Sequence, residues 1–255
     1  MTGLSGGPSA DYFVGVSALM RRILDEEAAV IGKAADRLSL QIAADRLVHI
    51  YGPGGHSNLA AQDVFFRAGG LMHVSAILDE GTLLSNGALR STAMERMPGY
   101  GRLVIRDYRL GAQDLLILVN AFGVNSALVD AAVEARERGV FLIGISSHVH
   151  AQNLPADHPA RHPSRDNLQD LVDIAIDSKV PTGDALVQVA GVSEKVGSVS
   201  TFANAFVLNC LVIETVARLK KRGFEPPIWQ SNNAPGGDEA NARFIARFQD
   251  RVRML

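Results

Sequence analysis

The chain has 255 residues, 47% of them hydrophobic and 6% aromatic, which suits one large α/β domain with an attached helical segment. Its 25 basic residues stand against 27 acidic ones, a balance that leaves no field for nucleic acid or a membrane surface. The single cysteine, Cys210, lies in an apolar helical pattern and reads as core, so no disulfide framework is expected. With no N-terminal signal and no run of about eighteen apolar residues, the expectation is a soluble, cytoplasmic protein.

Met1 to Ala10 reads as a frayed Gly/Ser-rich leader. From Asp11 to about Arg46 the pattern is helical, with Phe13, Val16, Met20, Ile23 and Leu24 on one face, extended by Ala28, Ile31, Ala35 and Leu38. Gly32 and Ser39 suggest a break into two helices. Residues 1–46 are therefore set apart as a helical segment.

The next stretch, LVHIYGPGGHSN over 47–58, organises the rest. A short apolar run stops at Gly52-Pro53-Gly54-Gly55, and His56-Ser57 open a helix-like stretch from Leu59 to Arg67. This is a buried parallel strand, a tight turn and a helix N-terminus. Glycines let a backbone approach a ligand, the first helical turn offers unpaired N–H groups to an anion, and Ser57 adds a hydroxyl. Neither Gly-x-Gly-x-x-Gly nor Gly-Lys-Ser/Thr is present, which weakens dinucleotide and nucleoside-triphosphate readings.

Gly69-Gly70 are expected to end that helix. Met72 to Leu78 is a second strand, and residues 79–101 an irregular or helical connection of a length that is often functional. It holds Glu95, whose spacing by itself fits a solvated helix-end charge. A third strand, Asp114 to Asn120, runs into Ala121-Phe122-Gly123-Val124-Asn125-Ser126 and a helix over 126–138. A fourth, Val140 to Ile145, leads to Ser146-Ser147-His148. Strands alternating with helices predict a parallel sheet that binds ligands outside its carboxyl ends, where loops 52–57, 120–126 and 146–150 converge.

Residues 148–167 hold four of the seven histidines. His148 and His150 cannot share a helix face, Pro159 separates His158 from His162, and no carboxylate cluster completes a metal site. A fifth strand, Val172 to Asp177, and a further strand or arm over 187–200 follow. Residues 200–222 form a nearly apolar helix, capped by Ser200-Thr201 and carrying one acid, Glu214. Residues 226–255 are a polar arm and a final helix, 238–253.

The glycine loop, NAFGVNS, LIGISS, HPS…VDIAIDS…P-x-GDA and the STFANAFVLN helix together resemble the SIS, or sugar isomerase, superfamily, and within it a branch of phosphosugar-binding proteins. The resemblance runs from about Tyr12 to Asn241, with the SIS domain over 47–225. It implies a three-layer α/β sandwich with a five-stranded parallel sheet plus N-terminal helices, a homodimer, and a sugar phosphate at the strand ends. No cofactor or metal is implied. Relatives include phosphoheptose isomerase and N-acetylmuramic acid 6-phosphate etherase, as well as sugar-sensing domains without catalysis. Phosphate contacts fall to Gly54, Gly55, Ser57, Asn120, Gly123, Asn125, Ser126, Ser146 and Ser147. Related enzymes place a catalytic glutamate after the second strand, which makes Glu95 the first candidate base and Glu214 the second, with His56 or His148 as acid. One departure stands out: the second phosphate loop of such proteins usually reads Ser-x-Ser-Gly, and here it is Asn120-Ala121-Phe122-Gly123. Three functions follow: a phosphosugar isomerase or lyase, a non-catalytic sugar-phosphate binder, and a structural dimerisation module.

Overall fold

The computed structural model describes residues 6–255. Five of the apolar runs pair as one sheet: β1 (Val48–Tyr51), β2 (Val74–Ile77), β3 (Leu115–Val119), β4 (Phe141–Ser146) and β5 (Ile174–Asp177). Their order is β2-β1-β3-β4-β5 and every pairing is parallel. All five strand ends therefore point the same way, as the alternation of strands and helices demands.

Side chains leave a strand alternately to its two faces. Val48, Ile50, Leu115, Ile117, Val119, Ile143 and Ile145 meet α1 (Pro8–Ala43), α2 (Ser57–Val64) and α8 (Ser200–Lys221). Tyr51, Ile77, Leu116, Leu118 and Leu142 meet α4 (Tyr100–Asp107), α5 (Ser126–Glu137) and α7 (Leu168–Leu171) on the other face. The short helices α3 (Ala88–Glu95) and α6 (His148–Asn153) sit at the strand ends, and β6 (Ala185–Val187) pairs antiparallel with β7 (Val196–Ser198). After α8 the arm returns to the sheet, where Leu71 bridges Ile228, and α9 (Gly237–Phe248) completes a cluster of Met72, Trp229, Phe248 and Val252.

Three expectations are corrected. The N-terminal segment is one helix of 36 residues, unbroken at Gly32 or Ser39. Both residues serve packing: a Cβ on Gly32 would meet the Arg218 guanidinium at 3.1 Å, and the Ser39 hydroxyl donates to Asp36 O at 2.8 Å and accepts from Arg222 Nε at 3.2 Å. The helix also starts at Pro8, inside the expected leader, whose first five residues lie outside the described ones. Second, α2 stops at Val64, before Gly69-Gly70; Phe65 is extended and Phe66 takes φ 45°. The glycine pair instead docks the arm, with Gly69 N donating to Trp229 O and Trp229 N to Gly70 O, each at 2.9 Å. Third, Ser200-Thr201 do not cap α8. Asp184 does, accepting from Val199 N at 3.0 Å, Ser200 N at 2.7 Å and the Ser200 hydroxyl at 2.8 Å. By length and composition α8 could cross a membrane, but it buries Ala203, Val207, Leu208, Leu211 and Val212 in the core.

Candidate functional site

The glycine loop after β1 is shaped by what lies on it. Gly52 has no room for a Cβ beside the Ser57 carbonyl, so the chain can turn there only as glycine. Gly54 takes φ 106°, and a Cβ on it would stand 2.6 Å from Glu95 Oε1. A Cβ on Gly55 would overlap the Leu84 side chain. The missing side chains thus admit the 79–101 connection, which folds over the loop as two 3₁₀ turns and α3.

That connection is anchored from below. Asn58 Nδ2 donates to Gly54 O at 2.9 Å and Thr82 O at 3.1 Å, and Ser91 Oγ donates to Thr82 O at 2.7 Å. Asp79 accepts from the Tyr100 hydroxyl at 2.7 Å and the Thr82 hydroxyl at 3.0 Å. These bonds hold α3 so that its last residue, Glu95, turns inward.

The loop after β3 meets Glu95 from the other side. Asn120 Nδ2 reaches Pro53 O at 3.1 Å, Ser57 Oγ at 3.2 Å and Glu95 Oε1 at 3.2 Å. Its Oδ1 accepts from Phe122 N at 2.9 Å and Gly123 N at 3.0 Å. One amide therefore joins both loops to the carboxyl. Burial pushes the Glu95 pKa up to about 7, against the opposing pull of the Asn120 hydrogen bond and of Arg96. A group titrating there can take and return a proton near neutral pH.

Ser57 opens α2, and Asn125 and Ser126 open α5; all three are buried. In α2 the first-turn amides of Asn58 and Leu59 are already bonded to Gly54 O and His56 O, each at 3.1 Å, whereas the first-turn amides of α5 are left to an anion. The Asn125 Oδ1 is buried with no partner. Gly123, with φ 72°, gives Ser146 room, since a Cβ there would lie 2.6 Å from the Ser146 Oγ. Ser147 is spoken for, its hydroxyl donating to Val180 O at 2.6 Å and accepting from His150 N at 3.2 Å.

Other candidates are placed elsewhere. Glu214 is exposed on α8 and pairs with Arg218, which in turn bonds Asp36 of α1 at 2.9 Å. Five residues on, Gln41 bonds the carbonyls of Leu47 and Gln113, just before β1 and β3 begin. Glu214 thus lies toward the amino ends of the strands, away from Glu95 at their carboxyl ends. His56 is exposed at the N-cap of α2. The His148 amide donates to Asp177 Oδ1 at 3.1 Å, which ties His148 to the end of β5. Among the described residues no group of histidine, cysteine and carboxylate side chains could hold a metal.

Sequence reasoning missed two parts. The Asp79–Thr82–Tyr100–Asn58 scaffold left no pattern, because its members join only through the fold. His150 was weighed only as a metal ligand, yet its ring stacks on Phe122 with centroids 4.1 Å apart and 28° between planes. Burial pushes the His150 pKa down, which favours the neutral imidazole against the Phe122 ring.

A family model described as the SIS domain matches residues 11–147. A UPF0309 protein of Halalkalibacterium halodurans is 33% identical over 244 residues, 96% of each chain. Another from Brucella canis is 36% identical over 240 residues, 94% of this chain and 96% of that one. The fold is similar to phosphoheptose isomerases from Francisella tularensis (TM-score 0.53, 14% identity, 82% of this chain and 96% of that one) and Neisseria gonorrhoeae (TM-score 0.52, 12% identity, 84% and 97%). Such low identity speaks for the fold alone. The parallel sheet, the matched SIS domain and the full-length relatives converge: the chain belongs to the SIS domain family, among its UPF0309 proteins.

Proposed function

We propose that the chain binds a sugar phosphate at its strand ends and takes a proton from the carbon next to the carbonyl. An isomerase then returns that proton to the neighbouring carbon, and a related lyase instead expels the substituent one carbon on. The observation that carries this is the Glu95 carboxyl, held by Asn120 against the glycine loop that opens α2, with its pKa pushed up to about 7 by burial. The phosphate fits the N-terminus of α5, with Asn125 and Ser126 beside it and the Ser57 hydroxyl offered from the start of α2. In isomerisation the Glu95 carboxylate takes the proton from the carbon next to the carbonyl. The electron pair of that C–H bond forms the enediolate, with the charge on the former carbonyl oxygen. The proton of the adjacent hydroxyl passes to that oxygen, and the glutamic acid returns its proton to the former carbonyl carbon, which leaves the carbonyl on the neighbouring carbon.

The test is solvent exchange. Hexose and heptose phosphates incubated with the protein in deuterium oxide should take up deuterium at the carbon next to the carbonyl, read by NMR. Glu95→Gln should stop uptake while leaving the ligand-induced rise in melting temperature. Binding without exchange at any pH from 6 to 9 would overturn the catalytic half.

A second reading, a non-catalytic sugar-phosphate sensor, has its own support. Phe122 N and Gly123 N already bond Asn120 Oδ1, and the loop offers no hydroxyl over 120–123. The absence of exchange alongside retained binding would favour it.

A further inference from the structure

Far from the strand ends, the arm, α9 and the last turns of α1 and α8 enclose a cleft of about 810 Å³, within the range of small-molecule sites. Its walls are Ile42, Leu219, Phe224, Pro226, Pro227 and Phe244. Flat apolar walls of this kind suit a ring and offer a polyhydroxylated sugar few partners.

The charges around the cleft do not cancel. Asp45 is engaged three times, by His73 at 3.0 Å, Arg247 at 2.6 Å and Arg251 at 3.2 Å. Glu225 is paired with Lys220 at 2.7 Å. Arg243 lies over the Phe244 ring at 4.4 Å and has no carboxylate partner among the described residues. The lining carboxylates are thus spent on other cations, and one guanidinium stands free beside an aromatic wall. A guanidinium in that setting binds a carboxylate or sulfonate through two parallel hydrogen bonds.

We propose that this cleft is a second ligand site, for a small aromatic acid: a planar ring against Phe224 and Phe244, its anionic group on Arg243. It is separate from the sugar-phosphate site and does not depend on that reading.

The probe is 1-anilinonaphthalene-8-sulfonate, an aromatic sulfonate whose fluorescence rises on leaving water. Titrated into the full chain at pH 7, it should give saturable binding at one site per chain. Arg243→Gln should weaken that binding about tenfold, the loss of one charged hydrogen-bonded contact. Arg243 is exposed and in no ion pair among the described residues, so this variant should melt like the parent. Phe224→Ala is the second variant and should also weaken binding. Benzoate should compete, and glucose 6-phosphate should not. Unsaturable or absent binding, equal binding by Arg243→Gln, or displacement by glucose 6-phosphate would each overturn the proposal.

Discussion

Glu95 makes the pH behaviour of the molecule specific. Its pKa rises from 4.5 to about 7 on folding, so between those values the folded chain holds a proton that the unfolded chain releases. Stability contributed by this group is full below pH 4.5 and is lost as pH rises to about 7, on the order of 3 kcal/mol in all. Glu95→Gln should remove that slope from denaturant melts run between pH 5 and 8; an unchanged slope would place its origin elsewhere. Proton transfer runs the opposite way, since the base must be ionised, and should rise with pH through about 7. Phe122 makes a second test. Its ring is half-buried and stacked on His150, so it is not a fully buried core residue. Phe122→Ser should cost about 1–3 kcal/mol in chemical denaturation, short of the collapse that follows loss of a core aromatic. At this scale the sequence showed Glu95, Asn120, Ser57 and Ser126 as residues at strand or helix ends, where chain order alone places them. It could not show that Asn120 bonds Glu95, because nothing in the spacing of residues 25 apart records a bond across two loops.

Elements were legible where periodicity decides and illegible where a distant partner does. All five sheet strands and α5 follow their apolar patterns closely, because burial on one or both faces imposes the period. Helix ends did not, since α8 is capped by Asp184 from the preceding β6 loop and α2 ends before its glycines. Asp184→Ala should therefore destabilise by about 1–2 kcal/mol, whereas Thr201→Ala should change little; equal effects would contradict the capping assignment. The contact of α4 with α5 turns on Gly101, where any Cβ would overlap the Ala127 carbonyl. Gly101→Ala should force the helices apart at about 1–3 kcal/mol or more, seen as a lower urea midpoint with an unchanged slope. Gly111→Ala, with open space around its Cα, is the control.

The molecule as a whole leaves apolar surface uncovered on its long helices. Phe13, Val14 and Leu24 of α1 and Phe202 and Ile213 of α8 are all exposed. Scattered exposure is ordinary, but two packed helices sharing it fit a two-fold partner. Light scattering should give twice the 27.3 kDa chain mass, and Ile213→Asp should shift the balance toward monomer. A parent that stays monomeric at micromolar concentration would refute the assembly. The pairing of α1 with α8 also has a consequence for how the protein is made. Arg218 meets Asp36 across 182 positions of chain, so the part of α1 that packs on α8 is uncovered until α8 has been synthesised. At roughly 5–20 residues per second, the first helix waits on the order of ten to forty seconds outside the ribosome. Only the sheet strands can shield Leu19, Ile23, Ile31 and Leu38 during that interval, which makes α1 a segment for a chaperone to protect.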